Sequence, residues 1–247
     1  MSLTLVTGGS RGIGAAVALA CARAGHDVVI NYACDADSAK EVAMHVHALG
    51  RQALTVQADV ADEAQVLAMF ARIDAEAGPL TGLVNNAGIV VPAARLEDQD
   101  MARWQRIFQV NVMGTLLCCR EAVKRMSTRH GGLGGCIVNI SSRAAVVGSP
   151  NVYVDYSATK GAIDSLTVGL AREVIGEGVR VNGVRPGIID TEIHATSRIT
   201  HLLPEAAATI PIQRLGTADE VAEGVLWLLS PQSSYTVGCM LDVTGGR

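Results

Sequence analysis

Short apolar runs alternate with helical stretches along the whole chain, and this alternation narrows the possible folds more than any other feature. Apolar runs at 3–7 (LTLVT), 28–31, 53–57, 82–84, 136–140, 179–184 and 239–243 read as strands. Between them, 13–24, 36–49, 62–77, a stretch within 100–126, about 155–175 and 218–229 read as helices, several ending at glycine. Strand, helix and strand in regular succession mark βαβ units, and hence an α/β chain built on a parallel sheet. No internal repeat and no linker divides the chain, so residues 1–247 are expected to form one domain. Residues 129–135 (RHGGLGG) read as a flexible surface loop. Residues 187–216 lack clear periodicity and carry Pro204 and Pro211, which points to a mobile substrate lid.

The segment TGGSRGIG, Thr7 to Gly14, lies directly after the first strand and opens the first helix. Its glycines, Gly8, Gly12 and Gly14, differ in spacing from the G-x-G-x-x-G fingerprint. The physics is shared: glycines let the backbone approach a pyrophosphate, and a helix N-terminus presents free N–H groups and a positive dipole. Gly8, Ser10, Arg11, Gly12, Ile13 and Gly14 are therefore candidate cofactor contacts. A fold reading NAD carries an acid near the end of the second strand to hold the ribose 2′-hydroxyl. Here Asn31 and Tyr32 occupy that place, and Arg11 can pair with a 2′-phosphate. The reading favours NADP(H), while Asp35 and Asp37 just downstream keep NAD(H) open.

Tyr156 and Lys160 stand in the run YSATK, four residues apart and so on one helix face. A neighbouring ammonium favours the phenolate and is expected to lower a phenol pKa from its usual value of about 10, fitting the phenol for general acid/base work. The chain has three lysines against seventeen arginines, and a compact tunable amine is what this position needs. The bulk composition excludes other classes. A net charge of −4 with no basic block does not suit nucleic acid. No apolar run reaches the length of about 18 residues that a membrane span needs, and the N-terminus does not read as a signal peptide. The six cysteines show neither Cys-x-x-Cys nor zinc-finger spacing, so no metal is expected; free thiols and a reducing, cytoplasmic setting fit them.

TGGSRGIG, Asp59-Val60, NNAG at 85–88, Asn111 in NVMGT, Ser141-Ser142, YSATK and Pro186-Gly187 occur in this order, and together they resemble the short-chain dehydrogenase/reductase family from residue 3 to the C-terminal LDVTGGR. The resemblance extends to 3-oxoacyl-acyl carrier protein reductases and glucose 1-dehydrogenase-like members. It implies a Rossmann-like, doubly wound parallel sheet of about seven strands with helices on both faces, and a nicotinamide cofactor. It implies Tyr156 as general acid/base, Lys160 as the group that lowers its pKa and holds the nicotinamide ribose, Ser142 as hydrogen-bond partner of the substrate oxygen, and Asn111 as anchor of a proton-relay water. Asp59, Val60, Asn86, Ala87 and Gly88 would follow the adenine and ribose. Pro186, Gly187, Ile188, Ile189 and Thr191 would border the nicotinamide. The segment between Ser142 and Tyr156 carries one residue more than in many members. The implied substrate is a small carbonyl or secondary alcohol, with a 3-oxoacyl group on acyl carrier protein or a sugar as alternatives. Arg125, Arg129 and Arg172 are expected to offer an acidic carrier a basic rim. A nucleotide-binding redox sensor is the non-catalytic alternative. A homotetramer built on the helices near 101–126 and 155–175 is implied as well.

Overall fold

The computed structural model describes residues 2–191 and 203–247. Seven strands form one sheet: β1 (Leu3–Val6), β2 (Asp27–Tyr32), β3 (Ala53–Gln57), β4 (Gly82–Asn85), β5 (Gly135–Ile140), β6 (Val179–Pro186) and β7 (Met240–Val243). Their order is β3-β2-β1-β4-β5-β6-β7, with every neighbouring pair parallel. This is the doubly wound Rossmann-like sheet. The order reverses between β1 and β4, and such a switch point opens a crevice at the carboxyl ends of the strands.

Parallel strands buried on both faces need apolar side chains pointing both ways. The strands meet that demand by simple alternation. Val6, Val84 and Val138 face one core, packed under α1 (Gly12–Arg23), α2 (Ala36–Ala48) and α9 (Ala218–Leu229). Leu5, Leu83 and Ile137 face the other, under α3 (Glu63–Glu76), α5 (Gly114–Met126) and α7 (Val154–Val174). Helices α2 and α3 start where the side chains of Asp35 and Asp62 accept backbone N–H bonds. Helix α9 starts at a full capping box between Thr217 and Glu220.

The sequence reading meets three differences. The helix placed within 100–126 is two helices, α4 (Met101–Phe108) and α5, joined by a π-helical turn at Gln109–Met113. The glycine run 129–135 is tied down by backbone bonds from Gly132 N to Ser127 O (2.9 Å) and Gly134 N to Met126 O (2.8 Å), and Gly135 already belongs to β5. Of the expected lid, residues 192–202 lie outside the described residues. Its later part contains the helix α8 (Leu203–Thr209), and Ile189 bridges to Gly216. A short α6 (Ala144–Val147) follows β5.

Candidate active site

A cavity of about 570 Å³ opens at the carboxyl ends of β4, β5 and β6. Ile13, Asn86, Ser142, Tyr156, Lys160 and Ile188 form part of its wall. Gly88, Pro186, Gly187, Ile189 and Thr191 from the sequence reading also line it. Val147, Val152 and Tyr153 add wall that the motifs did not single out.

Helix α7 carries the tyrosine–lysine pair on one face. Lys160 Nζ lies 5.7 Å from the centroid of the Tyr156 ring and donates to Ile140 O at 2.8 Å. Tyr153 meets Tyr156 edge to face at 6.3 Å but has no lysine at the equivalent offset, where Ser157 stands. Ser142 Oγ accepts a bond from Ala144 N at 3.1 Å and also hydrogen-bonds the Tyr156 phenol, favouring its ionised form. Ser141, the neighbour of Ser142, turns the other way and is buried, with its hydroxyl on Asp164 and on Lys160 O.

The electrostatics correct one expectation. In the free protein the Tyr156 phenol is not lowered; burial pushes it up to about 12, against the Ser142 hydrogen bond that lowers it. Burial likewise drives Lys160 down to about 8, with Asp164 opposing. Desolvation disfavours each charged form, so the resting pair holds a neutral phenol. Part of the Tyr156 ring remains open to the cavity, where entering polar groups relieve that penalty.

Asn111 sits in the π-helical turn and is buried. Its Oδ1 accepts from Ile89 N (2.8 Å), and its Nδ2 donates to Ile89 O (3.0 Å) and Thr159 Oγ1 (3.2 Å). A Cβ added to Gly88 would lie 3.4 Å from Asn111 Oδ1 and 3.7 Å from Lys160 Nζ, so both groups converge on that glycine. An inserted residue in a helix often marks a functional site; here it places Asn111 behind the pair. The first residues of α7 are anchored by Asp155, whose buried carboxylate takes Arg103 Nε at 2.7 Å and Nη2 at 3.3 Å.

The glycine loop fits an anion. Gly8 and Gly12 have φ of +60° and +52°, which favours glycine at both places. A Cβ on Gly14 would fall on Gly8 O. Helix α1 has no side-chain cap and no acid in its first turn. Its leading N–H groups are therefore suited to a phosphate. Thr7 and Asn86 fasten this loop to the end of β4: Thr7 Oγ1 accepts from Asn86 N and Ala87 N (both 3.0 Å), and Asn86 Nδ2 donates to Gly8 O (2.9 Å).

Several of the expected contact residues, and Asp35 beside them, also make bonds or packing contacts within the chain. Asn31 is buried; its amide donates to Val56 O and Ala58 O and accepts from Gly8 N at 3.2 Å. Its side chain braces the glycine loop from below instead of facing the crevice. Val60 packs its side chain into the core beneath Gly114. Asp59 accepts from Ala61 N (2.9 Å) and pairs with Arg106 (3.2 Å). Asp35 caps α2 and is held below the ordinary carboxyl range by hydrogen bonds from Ser38 and by nearby Arg11. The expected basic rim is misplaced. Arg125 engages Asp74 and Glu121 at the end of α5, Arg129 faces Glu177, and Arg172 lies in the last turn of α7. All three sit toward the amino-terminal edge of the sheet, away from the cavity; Arg172 is about 24 Å along the helix from Tyr156.

Comparison with known proteins agrees with this geometry. A family model described as enoyl-(acyl carrier protein) reductase matches residues 8–247. The oxidoreductase YgfF of Escherichia coli (strain K12) is 49% identical over 247 residues, covering 100% of both chains. The 3-oxoacyl-[acyl-carrier-protein] reductase FabG of Staphylococcus aureus (strain N315) is 36% identical over 98% of this chain and 96% of its own length. A solved short-chain dehydrogenase from Burkholderia cenocepacia J2315, in complex with NADP, superposes with a TM-score of 0.90 at 35% identity, covering 99% of this chain and 97% of that one. The chain belongs to the short-chain dehydrogenase/reductase family, whose members are oxidoreductases acting on alcohol and carbonyl groups.

Proposed function

We propose that the chain is an NADP(H)-dependent oxidoreductase that interconverts a carbonyl and a secondary alcohol, with Tyr156 as general acid/base. The observation that carries this reading is the meeting of Ser142, Tyr156 and Lys160 on the wall of one cavity that adjoins the glycine loop. When bound, the nicotinamide cofactor supplies or accepts the hydride. The chain's own residues handle the oxygen and its proton. Ser142 and Tyr156 hold the substrate oxygen between two hydroxyls. Tyr156 gives it a proton in reduction and removes one in oxidation. Lys160 stabilises the phenolate that results, and Asn111 supports the lysine from behind Gly88.

NADP(H) over NAD(H) is supported by Arg11 beside the end of β2, by the engagement of Asp35 with Ser38, and by the NADP bound in the Burkholderia relative. An acyl thioester substrate is supported by the names of the family model and of the Staphylococcus relative. The test is a cofactor-consumption screen over ketones, aldehydes, sugars and 3-oxoacyl thioesters with both cofactors. Turnover with a clear preference for NADPH is expected, and a clear preference for NADH would sink the cofactor assignment. The same assay fixes the pH dependence. Burial holds Lys160 at about 8, so above that pH the ammonium has given up its proton and the tyrosine–lysine pair can take up the one an alcohol releases. Alcohol oxidation is expected to rise as the pH passes through about 8, and carbonyl reduction to fall over the same interval. A flat oxidation profile would contradict this.

The same reading includes a cytoplasmic homotetramer. Among the described residues no helix is long and apolar enough to cross a membrane, and all six cysteines are free. Met101, Phe108, Met113 and Leu116 expose apolar surface along α4 and α5, and open space lies over Gly161 and Gly169 of α7. Light scattering is expected to give about four times the chain mass of 25.7 kDa; the mass of a monomer would refute it.

A further inference from the structure

Ser142 lies between two residues that are the ends of one chain of polar contacts. On one side, Ser141 Oγ donates to Asp164 Oδ1 at 2.5 Å. Asp164, on α7, accepts from Arg185 Nε at 2.8 Å and pairs with its Nη2 at 2.8 Å. Arg185 stands on β6 directly opposite Asp242 of β7 in the strand register, and their charged groups are 3.6 Å apart. Asp242 Oδ2 then accepts from Arg143 Nη1 at 3.0 Å. Arg143 is the residue on the other side of Ser142, so the chain closes around it. The backbone adds a second tie at each end, Ser141 N to Val184 O (2.8 Å) and Arg143 N to Pro186 O (2.9 Å).

These links connect four separate segments of the chain, and all the side chains except Ser141 keep some exposure. The side chains of Asp164, Arg185, Arg143 and Asp242 are 17%, 21%, 26% and 39% exposed. Exposed pairs of this kind contribute little to stability singly. Their effect lies in geometry. Ser142 lies two residues past the end of β5 at Ile140, between the backbone bonds of Ser141 and Arg143 to β6. Fixing both flanking side chains as well would limit how far Ser142 can shift between those two bonds. Displacement of a reacting group by about 1 Å costs up to roughly a hundredfold in rate.

We propose that Ser141, Asp164, Arg185, Asp242 and Arg143 form a closed positioning ring for Ser142, with Asp242 on β7 as a remote positioning residue for the reaction. The inference rests on the reading of Ser142 as a holder of the substrate oxygen. The test is a cycle of Asp242→Ala, Ser142→Ala and the double variant, with kcat and the KM for NADPH measured separately. Residual rates are followed as product formed at high enzyme concentration. Asp242→Ala is expected to lower kcat about tenfold with little change in KM. In the Ser142→Ala background it should lower kcat no further, because the group being positioned is gone. Asp242→Glu should recover most of the rate, and Asp242→Asn serves in the cycle if the alanine variant does not fold. Unchanged kcat in the Asp242 variants overturns the ring. So does a tenfold loss that persists without the Ser142 hydroxyl, since that loss arises elsewhere. Failure of the underlying reading shows separately, as an undiminished rate in Ser142→Ala alone, and removes the proposal with it.

Discussion

Tyr156→Phe is expected to lower turnover by about two to four powers of ten, the usual contribution of a positioned general acid or base. In activation free energy that is roughly 3–5 kcal/mol. The substitution deletes one oxygen and keeps the ring. The edge contact with Tyr153 at 6.3 Å is retained, and so is the position of Lys160 over the ring face. The fold should therefore be unaffected, and NADPH affinity should change only a few-fold, because the glycine loop and the α1 N-terminus are untouched. Steady-state kinetics and NADPH fluorescence titration separate the two effects. The phenol is normally protonated at neutral pH, since burial holds it at about 12. The variant therefore removes a proton donor, not a charge, and raising the pH should not rescue reduction. Turnover near the parent rate would remove Tyr156 from the mechanism.

What could be read from the residues, and what could not, follows from the range of the interactions. Strands β1 to β7 were legible because each is a short apolar run between helices, a pattern that local sequence carries. The glycine loop was legible for the same reason: strand, glycines and helix adjoin in the chain. The Tyr156–Lys160 pair was legible because helical periodicity alone puts the two on one face. The π-helical turn at Gln109–Met113 was not. An inserted residue in a helix leaves no mark in an apolar pattern that continues on both sides. Asn31 read as a cofactor contact from its place at the end of β2, yet its amide is taken up by Val56, Ala58 and Gly8. A strand-end polar residue faces either the crevice or a neighbouring loop, and local sequence does not distinguish these. The direction of the Tyr156 shift was also hidden. The expectation counted the lysine charge and omitted desolvation, which depends on every atom packed around the phenol. The ring around Ser142 spans about a hundred residues, from Ser141 to Asp242, so no spacing could reveal it.

The second large effect is expected at Gly14, and its cause is close approach, not backbone conformation. A Cβ there would fall on Gly8 O and lie 2.5 Å from Asn86 Nδ2, the two partners of the bond that fastens the glycine loop to β4. Gly8 O is backbone, and Asn86 Nδ2, though the end of a side chain, is held by its bonds to Thr7 O and Gly8 O. Gly14→Ala must therefore either open that bond or move the start of α1 away from the loop. Overpacking of this kind costs about 1–3 kcal/mol and sometimes more, and the rigid backbone on one side puts this site at the upper end. A loss of about 3 kcal/mol corresponds to a fall in melting temperature of roughly 6–12 °C for a chain of this size. If the strain falls on the shape of the loop, NADPH affinity weakens by about a hundredfold. Gly12 provides the contrast. Its φ of +52° makes a side chain strained, but among the described residues an added Cβ meets only Thr191, at 3.6 Å. Gly12→Ala is therefore expected to carry a conformational cost of about 1–2 kcal/mol without the collision. Thermal melting and NADPH titration of the two variants should rank Gly14→Ala as the more damaging in both measurements. The reverse order would mean that φ, not the contact with Gly8 and Asn86, dictates glycine in this loop.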